Sequence, residues 1–169
     1  LKPFLAYRNT NELTQENNLA NSDMREVQNG RVARMYESFP ELYMQCSKKV
    51  EYTHAPAWYK GIEYMKEQER GFSYKEDQLV PGWFELPIKK GESIIFSAGI
   101  SEVNSKTLKS LWEKEYKRRF TRNTMLGCLK NAASQFYKRE GDKCYLLAGY
   151  PWFKASAREE FLAMHGCTM

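Results

Sequence analysis

The 169-residue sequence predicts an α+β protein, strands first and helices second, with the change near residue 103. Two observations predict it. Up to Val103 the β-branched and aromatic residues fall in short runs bounded by Pro, Gly and Asn. After Val103 the apolar residues recur at three-and-four spacing. A third observation, charge, divides at the same place. Residues 1–103 carry 13 Lys+Arg against 15 Asp+Glu, a net of −2, whereas residues 104–169 carry 13 against 6, a net of +7. Two domains are expected, 1–103 and 104–169.

In chain order, the expected strands are residues 2–8, 31–37, 42–47, 50–53, 82–86 and 93–100, with Pro40, Pro56, Pro81 and Pro87 between or at the ends of these runs, where a missing N–H harms no ladder. Residues 9–30 are polar and rich in Asn, which reads as a long exposed loop, with room for a short helix, ending in the turn signal Asn29-Gly30. Residues 61–78 are ambiguous between strand, turn and irregular loop. Asn104 or Ser105 can cap a helix through Leu108, Leu111, Trp112, Glu115 and Phe120. Thr121 or Asn123 can start another, with Met125, Leu129, Ala132, Ala133, Phe136 and Tyr137 on one face. Gly141-Asp142 stops it, residues 143–148 are extended, and Ser156 with Glu159 forms an S-x-x-E capping box for a last helix.

Composition excludes several classes. A hydrophobic content of 42% supplies a core for one ordinary domain or two small ones, so disorder is not the main reading. Mean hydropathy is −0.70, and the longest nearly apolar run, residues 94–100, is far short of the roughly 18 residues a membrane span needs. Cys46, Cys128, Cys144 and Cys167 form no C-x-x-C pair and no disulfide-dense frame, which points to reduced thiols in a cytoplasm. His165 and Cys167 are too few for a zinc site without distant help from Cys144, and neither a metal nor a cofactor is expected. The basic run Lys106, Lys109, Lys114, Lys117, Arg118, Arg119 and Arg122 fits phosphate contacts or a solvated helix face, with Glu113 and Glu115 interleaved. A chain that opens LKPFLAYR and ends at Met169 reads as an excised or processed piece of a longer protein.

The densest candidate for chemistry is residues 148–161, AGYPWFKASAREEF. It sets Tyr150, Trp152 and Phe153 on a Pro-containing loop ahead of a helix carrying Arg158, Glu159 and Glu160. Flat rings suit the apolar face of a pyranose, Arg offers a planar fork of donors, and a carboxylate accepts from hydroxyls. The same residues also suit a core plug, with two acids at the favourable N-terminal end of a helix. Trp58-Tyr59 and Trp83-Phe84 fit either a glycan surface or sheet core. The acid pairs Glu67/Glu69, Glu76/Asp77 and Glu159/Glu160 point in different directions on any regular element and read as solvated surface. His54 and His165 sit in no nucleophile motif.

The string Ala148-Gly149-Tyr150-Pro151-Trp152-Phe153, with Arg158, Phe161, Ala163, Gly166 and Thr168 in register, resembles glycogen debranching enzymes of the bacterial amylo-alpha-1,6-glucosidase type. Residues 74–97 are similar to the strands before that family's helical domain, residues 106–136 to its linker helix and first barrel helix, and LKPFLAYR to an earlier sandwich strand. The resemblance implies that residues 1–103 are the later half of an antiparallel β-sandwich and that residues 104–169 begin an (α/α) barrel. It further implies that the parent protein hydrolyses alpha-1,6 branch linkages of a glycogen-like glucan in the cytoplasm. Tyr150, Trp152, Phe153, Arg158 and Glu159 would then bind substrate. Where the family has Trp-Gly-Arg-Asp-Thr, this chain has Ser156-Ala157-Arg158-Glu159-Glu160.

No catalytic residue is expected in the chain. An inverting glycosidase needs an acid and a base about 6.5–9.5 Å apart, and the family supplies both from later segments. The piece alone is therefore expected to be inactive and to self-associate through exposed edges, with neither nucleic acid nor membrane as a partner. The alternative is a non-catalytic carbohydrate-binding or interaction module; a basic-helix nucleic-acid binder would instead betray itself by salt-sensitive binding.

Overall fold

The computed structural model describes residues 1–150 and 153–167 and shows mixed α and β structure in which every strand pair is antiparallel. Two compact units are present, Leu1–Glu113 and Lys114–Met169, dividing inside one helix. Among the described residues no helix is long and apolar enough to cross a membrane.

The first unit is built from two sheets. One has the order β1-β2-β3-β6, from Met24–Val27, Gly30–Ala33, Leu42–Cys46 and Phe96–Gly99. The first of these strands lies inside the stretch expected to be loop. It is a short, polar edge strand with the burial pattern of a half-exposed element, so no apolar alternation announced it. Its hairpin closes through Gln28 and Asn29, with Asn29 at φ +51°. Gly30 follows because a Cβ there would stand 2.0 Å from the Met44 carbonyl oxygen.

The other sheet is the long hairpin of β4 (Glu51–Glu63) and β5 (Lys75–Glu85), joined through α1 (Met65–Glu69). The ambiguous stretch 61–78 is thus the end of one strand, a helical turn and the start of the next. Two prolines expected outside strands lie inside this pair. Register steps from His54↔Gly82 to Ala57↔Val80, so Ala55 and Pro56 bulge opposite Pro81, where a missing N–H interrupts nothing. A second step, from Tyr59↔Gln78 to Ile62↔Glu76, holds Gly61 at φ +67°, and Asp77 Oδ1 accepts its N–H at 2.9 Å. Residues 2–8 make only one bridge, Leu5 with Leu79, before Tyr7 turns to φ +34° and the segment leaves the sheet.

The core lies between these sheets. Ala33, Met35 and Met44 from one side meet Leu5, Leu79 and Phe84 from the other, and Phe96 stands 6.1 Å from the Phe84 ring. Phe84, 1% exposed, contributes about 1.5–3 kcal/mol by its burial alone. At one end Gln45 donates to the carbonyls of Gln28 and Val103 and accepts from Val103 N, while Gln28 accepts from Ser105 N. This anchors the 3₁₀ turn Ser105–Thr107, capped by Asn104, that leads into α2 (Leu108–Arg118).

In the second unit Thr124, rather than Thr121 or Asn123, caps α3 (Met125–Ala133) by accepting from Gly127 N at 3.0 Å. The helix does not run on through Phe136 and Tyr137. Ser134–Phe136 tightens into a 3₁₀ turn, and Tyr137 opens the hairpin of β7 (Tyr137–Glu140) and β8 (Lys143–Leu146). Gly141, at φ +58°, makes its two-residue turn with Asp142. The last helix, α4, spans Ala157–Cys167.

Candidate functional site

The aromatic loop of the second unit is closed by backbone hydrogen bonds. Leu147 bridges Ala155 and donates to Phe136 O at 2.8 Å, Ala148 N donates to Lys154 O, and Phe153 N donates to Gly149 O. At the tip Tyr150 is 49% and Phe153 67% exposed, so neither ring is a core plug. The Phe153 ring folds over Gly149, where a Cβ would stand 2.6 Å from it. Pro151 and Trp152 lie outside the described residues.

Ser156 starts α4, and its hydroxyl donates to the Glu159 carboxylate. That bond first, and the Arg158 charge among the lesser causes, holds the Glu159 carboxyl below the usual carboxylate range. Arg158 Nη1 stands 3.7 Å from Glu159 while most of its side chain faces solvent. Glu160 turns elsewhere and accepts Leu146 N at 3.0 Å, clamping the helix to β8. The two adjacent acids thus hold different partners. A cavity of about 470 Å³ opens beside them, walled by Phe136, Leu146, Leu147, Leu162 and Ala163, with Glu159 at its lining. One carboxylate on an apolar wall can accept a hydrogen bond from a hydroxyl, but it provides no acid and base pair across a bond.

The basic run is partly neutralised by its own helix. Glu115 accepts from Arg118 and Arg119 at 2.8–2.9 Å, which lowers its carboxyl to about 2. Cys46 is buried, Cys128 and Cys144 are exposed, and all three are unbridged. His54 and His165 are exposed. Among the described residues no three His, Cys, Asp or Glu side chains converge on a metal-sized site.

Sequence reasoning missed the most connected polar group. Glu76, read as part of a solvated acid pair, is fully buried. Burial pushes its carboxyl up, but hydrogen bonds from Arg8, Tyr64, Thr14 N and Gln78 outweigh that and hold it below the ordinary value. Its neighbour Asp77 accepts Glu16 N at 3.0 Å, so the pair ties the polar segment after Arg8 to β5. No sequence signal marked it, because Arg8, Thr14 and Tyr64 reach it from segments remote in the chain. The aromatic pairs also divide. Trp58 and Phe84 pack into the core, while Tyr59 and the partly buried Trp83 lie beside Lys2, with Phe4 edge-on against Tyr59.

Two antiparallel sheets closed over one apolar core make the first unit β-sandwich-like, and a smaller unit of helices, one hairpin and an aromatic loop follows it in the chain. Residues 1–95 match the family described as glycogen debranching enzyme N terminal, and the chain belongs to that family. No curated protein and no solved structure matches the chain.

Proposed function

We propose that this chain is part of a glycogen debranching enzyme of the bacterial type, which hydrolyses alpha-1,6 branch linkages. Residues 1–103 are the later half of its N-terminal sandwich, and residues 104–169 are the linker helix and the opening of an (α/α) barrel. The observation that carries the reading is the family match over residues 1–95 with the A-G-Y-P-W-F string downstream in the same chain. Tyr150, Trp152, Phe153, Arg158 and Glu159 line the glucose subsite. The exposed Tyr150 and Phe153 rings and the solvent-facing Arg158 support that role, because all remain available to a ligand. The general acid and base come from outside these residues, so the chain alone hydrolyses nothing. Its location is cytoplasmic, in keeping with unbridged Cys46, Cys128 and Cys144. Its partners are a branched alpha-glucan and, through exposed apolar side chains, a second copy of itself.

The test uses the debranching enzyme containing this chain. Arg158→Ala is expected to abolish most branch hydrolysis at an unchanged unfolding midpoint. Glu159→Asp, which restores the family's shorter carboxylate, is expected to be tolerated or to raise turnover. Full activity in Arg158→Ala, or loss only through unfolding, would remove Arg158 from the subsite. Glucose release from a branched glucan by residues 1–169 alone would contradict the placement of the acid and base elsewhere.

A further inference from the structure

Strand alternation sends one member of each aromatic pair in the β4–β5 hairpin inward and the other outward. Trp58 and Phe84 are consumed by the core. Tyr59, 39% exposed, and Trp83, partly buried, are left on the opposite face. There the Lys2 ammonium lies 5.9 Å from the Tyr59 ring centre and 5.6 Å from that of Trp83, with Nζ 3.3 Å from the Tyr59 hydroxyl. Phe4, 46% exposed, sets its ring edge-on against Tyr59 at 4.9 Å. Trp83 Nε1 donates to Glu85, and Thr53, the cross-strand partner of Trp83, is exposed beside it.

We propose that this outer face, formed by Phe4, Tyr59, Trp83 and Lys2, is a binding surface for α-glucan chains, distinct from the loop that carries Tyr150 and Phe153. Two rings held beside one cation are ordered before a ligand arrives, at little further cost on binding, and the apolar C–H faces of pyranoses stack on such rings when the flexible Lys2 side chain moves aside. Lys2, Glu85, the Tyr59 hydroxyl and Thr53 fringe those rings with donors and acceptors suited to sugar hydroxyls. Charge selects among occupants. Residues 1–103 carry a net charge of −2, which disfavours a polyanion and leaves a neutral polymer as the better fit. The choice of glucan as occupant rests on the debranching reading above; the geometry of the cluster does not.

The experiment is native electrophoresis of the 169-residue chain through gels containing glycogen or linear amylose, beside a gel containing neither. Wild type is expected to be retarded by both polymers. Tyr59→Ala and Phe4→Ser are each expected to weaken retardation by roughly threefold to tenfold at an unchanged unfolding midpoint, the range that losing one aromatic contact implies. Should Tyr59→Ala fail to fold, Phe4→Ser and Lys2→Ala carry the test. Unretarded wild type, or retardation intact in the folded variants, overturns the surface. Retardation lost in Arg158→Ala but kept in Tyr59→Ala also overturns it while leaving the subsite reading intact. Retardation lost in Tyr59→Ala, together with an Arg158→Ala debranching enzyme that keeps full hydrolysis, supports the surface and removes the subsite.

Discussion

Residues 1–113 enclose an apolar core, whereas the described residues of 114–169 fully bury no apolar side chain. Among the described residues, every buried hydrophobic side chain lies between Leu5 and Leu108. Of its described residues the second unit buries only Asn131, while Met125, Leu126, Leu129, Phe153, Phe161 and Leu162 are each more than half exposed. Since burial of apolar surface is the dominant favourable term in folding, the first unit has a larger source of stability than the described residues of the second provide. Its hairpin and helices are held by local bonds instead, such as the Thr124 cap and the Glu160 clamp on Leu146. The part that matches a known family is the part with a core, and the proposed sugar site lies outside it.

The largest effect that can break this contrast comes from truncating one apolar side chain in each unit. Phe84→Ala is expected to cost the first unit about 3–5 kcal/mol, read by denaturant melts. Leu129→Ala, at a half-exposed position of α3, is expected to stay within about 0.5 kcal/mol. Comparable losses at both positions would mean that the second unit has a core of its own.

Next in size is the Glu76 network. Arg8→Met leaves a buried carboxylate without its charge partner and is expected to cost about 3 kcal/mol at neutral pH. The pH dependence has a definite sign. Because the Glu76 carboxyl is held below its unfolded value, the stability it contributes is present above the ordinary carboxylate range and is lost as pH falls through the lowered folded value. The difference between wild type and Arg8→Met should therefore shrink on acidification, measured as unfolding midpoints from neutral pH downward. A difference independent of pH would remove Glu76 from the account. A smaller effect is expected at the Thr124 cap, where Thr124→Ala should cost about 1 kcal/mol, read as faster amide exchange at Gly127 and along α3.

How much was legible in the sequence follows the same division of physics. Strands β3 and β6 were visible because apolar and β-branched runs end at turn residues. A cap at Asn104 or Ser105 was visible because capping chemistry is local, and the folded chain uses Asn104. The long hairpin was read only at its two ends, since Pro56 and Pro81 are strand breakers unless a bulge sets them opposite each other, and register is not written in either strand alone. Glu76 was read as surface because a lone acid beside an acid usually is; its four donors arrive from Arg8, Thr14, Tyr64 and Gln78, and only the folded chain brings them together. At the candidate site the loop and the start of α4 were legible from Pro151, Ser156 and Glu159. The parting of Glu159 and Glu160 to different partners depended on β8 lying alongside the helix.

Amide hydrogen exchange of residues 1–169 tests the difference between the units most directly, because it reads local opening free energy along the whole chain. Amides of β3 and β5 are expected to be the slowest and to open only with global unfolding. Those of α3, β7, β8 and α4 are expected to exchange orders of magnitude faster. Protection in α3 and α4 equal to that in β3 and β5 would show the second unit to be as firmly packed as the first and would contradict the account.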